Sequence, residues 1–168
     1  MVIKSLKLKN YRNYDLLQMK FDPDTNILYG DNAQGKTNIL EALYLSGTTK
    51  SHRGTKDRDI IQFGYEESHI ETVVEKRGVD FQIDMHLKKN SPKGIAIDKV
   101  PLRRASELFG IVYFVFFSPE DLNIIKEGPS GRRRFIDLEL SQLDKIYLSN
   151  LSNYNRVINQ RNSLLKDI

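Results

Sequence analysis

One octapeptide constrains this chain more than any other feature: Gly30-Asp31-Asn32-Ala33-Gln34-Gly35-Lys36-Thr37. It fits the pattern G-x-x-x-x-G-K-[ST], and the flanking sequence predicts a short apolar strand over 25–29 and a helix over 36–45. The two glycines let the backbone approach an anion closely, while successive N–H groups and the positive end of the helix can surround a phosphate. The pattern therefore predicts a phosphate-binding P-loop between a strand and a helix.

The residue types within the loop predict distinct roles. All eight residues of 30–37 are assigned to nucleotide binding. Lys36 is expected to reach the β- and γ-phosphate oxygens, and the Thr37 hydroxyl is expected to ligate Mg²⁺. The predicted ligands are thus ATP and magnesium.

Composition limits the class of protein. The chain has 168 residues, 39% of them hydrophobic and 29% charged, which is typical of one globular domain. It has no cysteine, so disulfides and thiolate metal sites are excluded. Its longest apolar run, 111–117, is far below the roughly 18–20 residues that span a bilayer, and residues 1–9 do not look like a signal peptide. A soluble, cytoplasmic protein is expected, and the net charge of +4 permits a polyanionic partner.

Periodicity predicts a mixed arrangement of strands and helices. Alternating or apolar stretches predict strands over 2–9, 15–21, 70–75, 81–87, 95–97 and 111–117, the last fully buried. Helices are predicted over 102–109, from Ser118-Pro119-Glu120-Asp121 onward, from Pro129 to about Leu143, and over 144–168. The last helix carries a heptad stripe, so it either packs on the domain or begins a longer coiled arm.

The sequence lacks a clear set of hydrolytic residues. A P-loop ATPase normally adds an apolar strand that ends in an acid, and 112–117 is the one candidate. There the acids Glu120 and Asp121 are displaced by Ser118 and Pro119 into a helix start. An Asn-Lys-x-Asp segment for guanine is absent, so a GTPase is not expected.

Five motifs occur in an order that is far more specific than the P-loop alone. They are Leu8-Lys9-Asn10-Tyr11-Arg12-Asn13-Tyr14, the P-loop continued through Asn38-Ile39-Leu40-Glu41-Ala42, Lys50-Ser51-His52-Arg53, Phe117-Ser118-Pro119-Glu120-Asp121-Leu122 and Arg132-Arg133-Arg134-Phe135-Ile136-Asp137. Together they resemble the N-terminal half of the RecF family, which belongs to the ABC/SMC-like ATPase group.

The resemblance implies a fold and a function. The fold is the α/β P-loop NTPase lobe of an ABC/SMC-like ATPase head, with a mixed sheet around the P-loop helix, an antiparallel β meander and C-terminal helices. Residues 1–143 would form lobe I, with an antiparallel insertion at about 68–98, and 144–168 would start a helical arm or a second lobe. The function would be that of an ATP-dependent DNA-binding recombination mediator that acts with RecO and RecR to load RecA at gapped or stalled replication sites.

In such proteins ATP binding drives dimerisation of two heads on DNA. The signature motif and the acidic strand lie later in family members about twice as long, so no catalytic residue is expected within this chain. It should bind nucleotide weakly and hardly hydrolyse it.

The resemblance also implies roles for residues outside the P-loop. Arg12 and Asn13 would lie near the base and ribose of ATP. Arg53 would lie near the γ-phosphate or DNA, with a surface arginine as the equal alternative. Ser118 and Glu120 would occupy the Q-loop region, although helix capping explains the same residues.

Arg132, Arg133 and Arg134 stand in the first turn of a predicted helix, where cations oppose the helix dipole. Local carboxylates such as Glu127 or Asp137 would compensate them, or else DNA or a subunit interface would do so. Two other functions remain open at this point: a small-molecule P-loop kinase, for which the three arginines would serve as a lid, and another SMC-like ATPase head.

Overall fold

The computed structural model of the protein describes residues 1–119 and 128–166. The chain forms two compact units, Met1–Leu108 and Phe109–Ile168. The predicted boundary between a lobe that ends at residue 143 and an arm that begins at residue 144 stays a prediction.

The first unit is built on a six-stranded sheet in the order β2-β1-β3-β4-β5-β6, with every neighbouring pair antiparallel. The strands are β1 (Val2–Tyr11), β2 (Tyr14–Lys20), β3 (Glu67–Lys76), β4 (Val79–Lys88), β5 (Ser91–Ile97) and β6 (Val100–Pro101). The N-terminal hairpin and the meander predicted separately are therefore one continuous sheet, because β1 pairs directly with β3.

Alternation along the strands gives the sheet one apolar face. Leu8 lies opposite Ile70, Ile70 opposite Met85, and Met85 opposite Ile95, so one buried row crosses four strands. Side chains directly opposite each other on one face pack together, which fixes the register. This row is the centre of the core.

Helices of the first unit cover that face. They are α1 (Lys36–Thr48) and the short α2 (Asp57–Ile60), followed by a 3₁₀ turn (Ala105–Leu108) inside the range predicted as a helix. α1 packs against β3 and β4, and nine of its thirteen residues are buried.

The second unit contains α3 (Pro129–Leu143) and α4 (Lys145–Leu164), which pack against each other. α3 begins at Pro129, as predicted from the preference of proline for the first helical turn. Asp144 joins the two helices, and its carboxylate accepts a hydrogen bond from the backbone N–H of Ile146 at 2.7 Å. Among the described residues no helix is both long and apolar enough to cross a membrane.

Two predicted strands are absent. Neither 25–29 nor 111–117 forms a strand, and several of their apolar side chains are exposed, among them Tyr29 at 91% and Val115 at 97%. An isolated strand leaves its backbone groups unpaired, and the described residues place no strand beside either segment. In the second segment the side chain of Gln142 supplies the pairing instead: it accepts from the backbone N–H of Phe114 at 2.9 Å and donates to its carbonyl at 3.2 Å.

The prediction of a mixed sheet around the P-loop helix is consequently wrong for the described residues. The sheet against α1 is antiparallel throughout.

Candidate nucleotide-binding site

The P-loop has the backbone geometry that the motif predicts. Gly35 precedes α1 with a φ of 96°, in the left-handed region, and gives the helix no side-chain cap. A Cβ at this position would lie 2.6 Å from the Asn13 side chain and 2.7 Å from the Tyr14 hydroxyl. The helix therefore begins with backbone N–H groups that no side chain caps, the arrangement that binds anions.

Lys36 folds back over the loop. Its Nζ donates to the carbonyl oxygens of Gly30 at 2.8 Å and Asp31 at 2.6 Å. The ammonium group thus lies within the turn of the P-loop, where it can also meet an anion.

A small pocket of about 210 Å³ lies at the start of α1. The residues that line it are Asn32, Ala33, Gly35, Lys36, Thr37, Asn38 and Arg53. Two residues with cationic side chains, Lys36 and Arg53, thus line the pocket together with Thr37, so the residues present fit the phosphates of a nucleotide. No group of three or more His, Cys, Asp or Glu side chains able to hold a metal occurs in the described part of the chain, and the assignment of Thr37 to magnesium stays a prediction.

The β1–β2 turn rests directly on the P-loop. The Asn13 side chain and the Tyr14 hydroxyl both donate to the carbonyl of Gln34, at 3.2 and 3.3 Å. Asn38 of α1 donates to Asn13 Oδ1 at 2.8 Å. The hairpin turn and the P-loop are therefore one hydrogen-bonded structure.

Behind the loop, α1 carries a buried carboxylate that gathers several donors. The side chain of Glu41 is 0% exposed. Arg12 binds it through Nε at 2.9 Å and Nη2 at 2.8 Å, and the Ser51 hydroxyl donates to it at 2.5 Å. Arg53 approaches the same carboxylate at 3.8 Å.

These contacts decide the ionisation of the buried pair. Burial by itself would raise the pKa of Glu41, but hydrogen bonds from Arg12 and Ser51, with the charges of Arg12 and Arg53, hold that pKa below its ordinary value of 4.5. Burial likewise opposes the charge of Arg12, yet the bond to Glu41 raises the pKa of Arg12. Both groups are therefore charged at neutral pH.

The structure gives the two predicted arginines different surroundings. Arg12 is engaged by Glu41, by the Asp59 carbonyl at 3.0 Å and by the Thr55 hydroxyl at 3.2 Å. Arg53 lines the pocket at the start of α1 and donates to Asn38 Oδ1 at 3.2 Å. Both arginines, with Asn13, also line a neighbouring cleft of about 800 Å³ that has room for the rest of a nucleotide.

The remaining predicted residues lie in the second unit. Ser118 is buried, whereas Glu120 and the helix start predicted after it lie outside the described residues. The side chains predicted to contact DNA or a subunit, Arg132, Arg133 and Arg134, are exposed in the first turns of α3. Within the described ranges none of the three forms a salt bridge, and Asp137 accepts from the Tyr147 hydroxyl at 2.5 Å.

Glu41 is the residue of this site to which the sequence analysis assigned no role. A signal was present, since Glu41 stands among Ile39, Leu40, Ala42 and Leu43, an apolar stretch of the helix predicted over 36–45. A charge within such a run requires a partner. The identity of the partner, Arg12, could not be read from the sequence because it lies 29 positions away.

Comparison with known proteins places the chain in a family of ATPases. A family model described as the AAA ATPase domain matches residues 1–168. The chain is 68% identical over 168 residues to the DNA replication and repair protein RecF of Agathobacter rectalis, covering 100% of this chain and 46% of that protein. It is 48% identical over 167 residues to the protein of the same name from Clostridium perfringens, covering 99% and 46%. The chain thus spans about half the length of the curated relatives it matches, and the predicted resemblance to RecF is confirmed.

Solved structures agree. The structure of the recombination mediator protein RecF with ATP in the RecFOR pathway is 38% identical, with a TM-score of 0.95 over 99% of this chain and 45% of that one. An SMC ATPase structure described in terms of ATP-driven dimerisation matches at 18% identity with a TM-score of 0.65 over 82% of this chain, which shows the shared head-like fold alone.

Proposed function

Because this chain belongs to the AAA ATPase domain family, we propose that it is the ATP-binding part of a recombination mediator of the RecF type. The observation that carries the proposal is the P-loop itself: a left-handed Gly35 that excludes a Cβ, at the uncapped start of α1, with Lys36 and Arg53 beside one pocket. The similarity to RecF along the whole chain favours ATP over other nucleotides.

In the proposed site, residues 30–37 surround the phosphates, and Thr37 ligates Mg²⁺. Lys36 exchanges its loop carbonyls for phosphate oxygens. Asn13 and the neighbouring cleft accommodate ribose and base, and Arg53 meets the terminal phosphate. Turnover requires residues beyond those described in this chain, in keeping with relatives about twice as long.

The wider role follows from the same family. We propose that the full-length protein binds DNA at a gap or junction and acts with RecO and RecR to load RecA. ATP would dimerise two heads on the DNA. The exposed Arg132, Arg133 and Arg134 of α3 are candidates for contact with DNA or a second subunit.

ATP binding is tested by titrating a fluorescent ATP analogue, with magnesium, into the full-length protein and its Lys36→Ala variant. Loss of the charge-assisted bonds of Lys36 should weaken binding by about 10- to 100-fold. Lys20→Ala, which removes an exposed lysine from β2, is the matched control and should bind like the wild type. Equal binding by the wild type and Lys36→Ala would refute the proposed site.

The DNA step is tested with the same variants. Binding to gapped DNA should increase when ATP is added to the wild type and should not respond to ATP in Lys36→Ala. Sedimentation should show an ATP-dependent dimer in the wild type only. DNA affinity that is identical with and without ATP would overturn the ATP-gated part of the proposal.

A further inference from the structure

Two arginines share the buried carboxylate of Glu41 on unequal terms. Arg12 makes two hydrogen bonds to it, one to each oxygen, at 2.9 and 2.8 Å. Arg53 comes only within 3.8 Å, and its own hydrogen bond goes to Asn38. The carboxylate is therefore satisfied by Arg12 and the Ser51 hydroxyl before Arg53 contributes.

The donors of Arg12 are largely used. A guanidinium has five N–H groups, and Arg12 makes four hydrogen bonds, to Glu41 twice, to the Asp59 carbonyl and to Thr55. Its side chain is 19% exposed, against 35% for Arg53. Both arginines line the neighbouring cleft, but Arg53 alone of the two lines the pocket at the start of α1, where the phosphates are proposed to bind.

We propose that Arg12 is a positioning residue of the nucleotide site: it neutralises Glu41, so that the guanidinium of Arg53 stays available to a nucleotide phosphate. This inference rests on the proposed function, since it assumes that phosphate binds at residues 30–37.

The physical reason is the cost of a buried charge without a partner. A carboxylate with no exposure attracts the nearest cation with little screening. Without Arg12 that cation is Arg53, which needs to move only about 1 Å to form a direct ion pair with Glu41. Arg53 would then be withdrawn from the pocket, and the carboxylate would repel an incoming phosphate.

The inference differs in a measurable way from a direct role of Arg12 as a ligand of ATP. If Arg12 touches the nucleotide, its removal weakens binding whatever stands at position 41. If Arg12 acts through Glu41, its removal is harmless once the carboxylate is gone. Replacing both charged residues by glutamine therefore separates the two explanations.

The experiment uses the full-length protein with four variants: Arg12→Gln, Glu41→Gln, the double variant of these two, and Arg53→Gln. Dissociation constants are measured for fluorescent analogues of ATP and ADP, and thermal unfolding midpoints show that each variant is folded. Arg12→Gln and Arg53→Gln should each weaken ATP binding about tenfold. The Arg12→Gln/Glu41→Gln variant should return to within about twofold of the wild type.

Arg103→Gln is the matched control, because Arg103 is exposed in the first unit and lines neither the pocket at the start of α1 nor the neighbouring cleft. It should bind ATP like the wild type. A folded double variant that binds as weakly as Arg12→Gln would overturn the inference, and so would unchanged ATP binding by Arg12→Gln.

Arg12→Gln leaves a buried carboxylate unpaired and can fail to fold. In that case Glu41→Gln is compared with the Arg12→Gln/Glu41→Gln variant, since neither contains the buried charge. Equal affinities support the inference, and a double variant about tenfold weaker overturns it. If Lys36→Ala binds ATP as tightly as the wild type, the proposed function fails and the inference fails with it. If Lys36→Ala weakens ATP binding as expected but the double variant does not regain affinity, the inference alone is wrong.

Discussion

α1 and α4 are both regular helices, but they differ in what surrounds them. Nine of the thirteen residues of α1 are buried, including the charged Glu41, whereas none of the twenty residues of α4 is. α4 nevertheless has the clearer apolar stripe, in which Tyr154 is 64% exposed. The comparison teaches that burial in this chain depends on the sheet and loops beside a helix, and that a stripe of apolar residues does not supply it.

The largest expected loss of stability comes from removing the buried charge of α1. Glu41→Ala should destabilise the protein by about 3–5 kcal/mol, because the partly buried Arg12 loses its counter-charge. Urea unfolding measures the difference. The control is Glu66→Ala, whose side chain is 73% exposed in an ion pair with Lys89 and should cost at most about 1 kcal/mol. Equal costs for the two variants would mean that the buried network does not stabilise the protein.

A second variant compares the two helices with one chemical change. Leu45→Ala removes a fully buried side chain from α1 and should cost about 2–5 kcal/mol. Leu164→Ala removes a side chain of α4 that is 66% exposed and should change stability by less than about 0.5 kcal/mol. Denaturant unfolding of both variants in full-length protein is the measurement. A large cost for Leu164→Ala would reveal that α4 is covered by another part of the protein.

The third prediction concerns a well-buried polar side chain at the end of α3. Gln142 is 3% exposed and bonds both backbone groups of Phe114. Gln142→Ala should cost about 1–3 kcal/mol, since it leaves a donor and an acceptor without partners. Hydrogen exchange at the Phe114 amide should accelerate in this variant. Unchanged exchange would show that the side chain does not hold the segment.

The last prediction concerns the pH dependence of stability, an effect that is absent at neutral pH and appears only on acidification. Because the folded protein lowers the pKa of Glu41 from 4.5, the unfolded chain binds more protons at low pH. The stability contributed by ionised Glu41 is therefore complete above about pH 5 and is lost as pH falls through the folded pKa. The difference in unfolding free energy between the wild type and Glu41→Gln should narrow from pH 7 to about pH 3. A constant difference would contradict the assigned ionisation.

Local patterns predicted much of the fold. β1, with Leu6 and Leu8 buried and Lys7 and Lys9 exposed, was predicted from alternation alone. The hairpin, the meander and the start of α3 at Pro129 were also predicted, because each depends on residues that are close in sequence. The assignment of residues 30–37 to nucleotide binding also depends on neighbouring residues alone, and it stays a prediction.

What sequence could not supply depends on distant partners. Segments 25–29 and 111–117 have the composition of strands, but a strand forms only beside another strand. The grouping of Arg12, Glu41, Ser51 and Arg53 likewise brings together a hairpin turn, a helix and a loop. The residue types predicted that these side chains carry charge and form hydrogen bonds. That Arg12 binds Glu41 while Arg53 lines the pocket could be seen only in the folded structure.

The hydrogen bonds from Lys36 to the carbonyls of Gly30 and Asp31 affect how experiments on this loop should be designed. The lysine is an internal brace of the turn as well as a prospective ligand. Lys36→Ala therefore removes two things at once, a positive charge and the connection that holds two carbonyls together. Lys36→Met, which keeps the length of the side chain, loses that brace as well. Lys36→Arg retains the positive charge and the N–H donors but changes the shape of the side chain. Comparing arginine with methionine at this position therefore separates the effect of side-chain shape from the combined loss of the charge and the two hydrogen bonds.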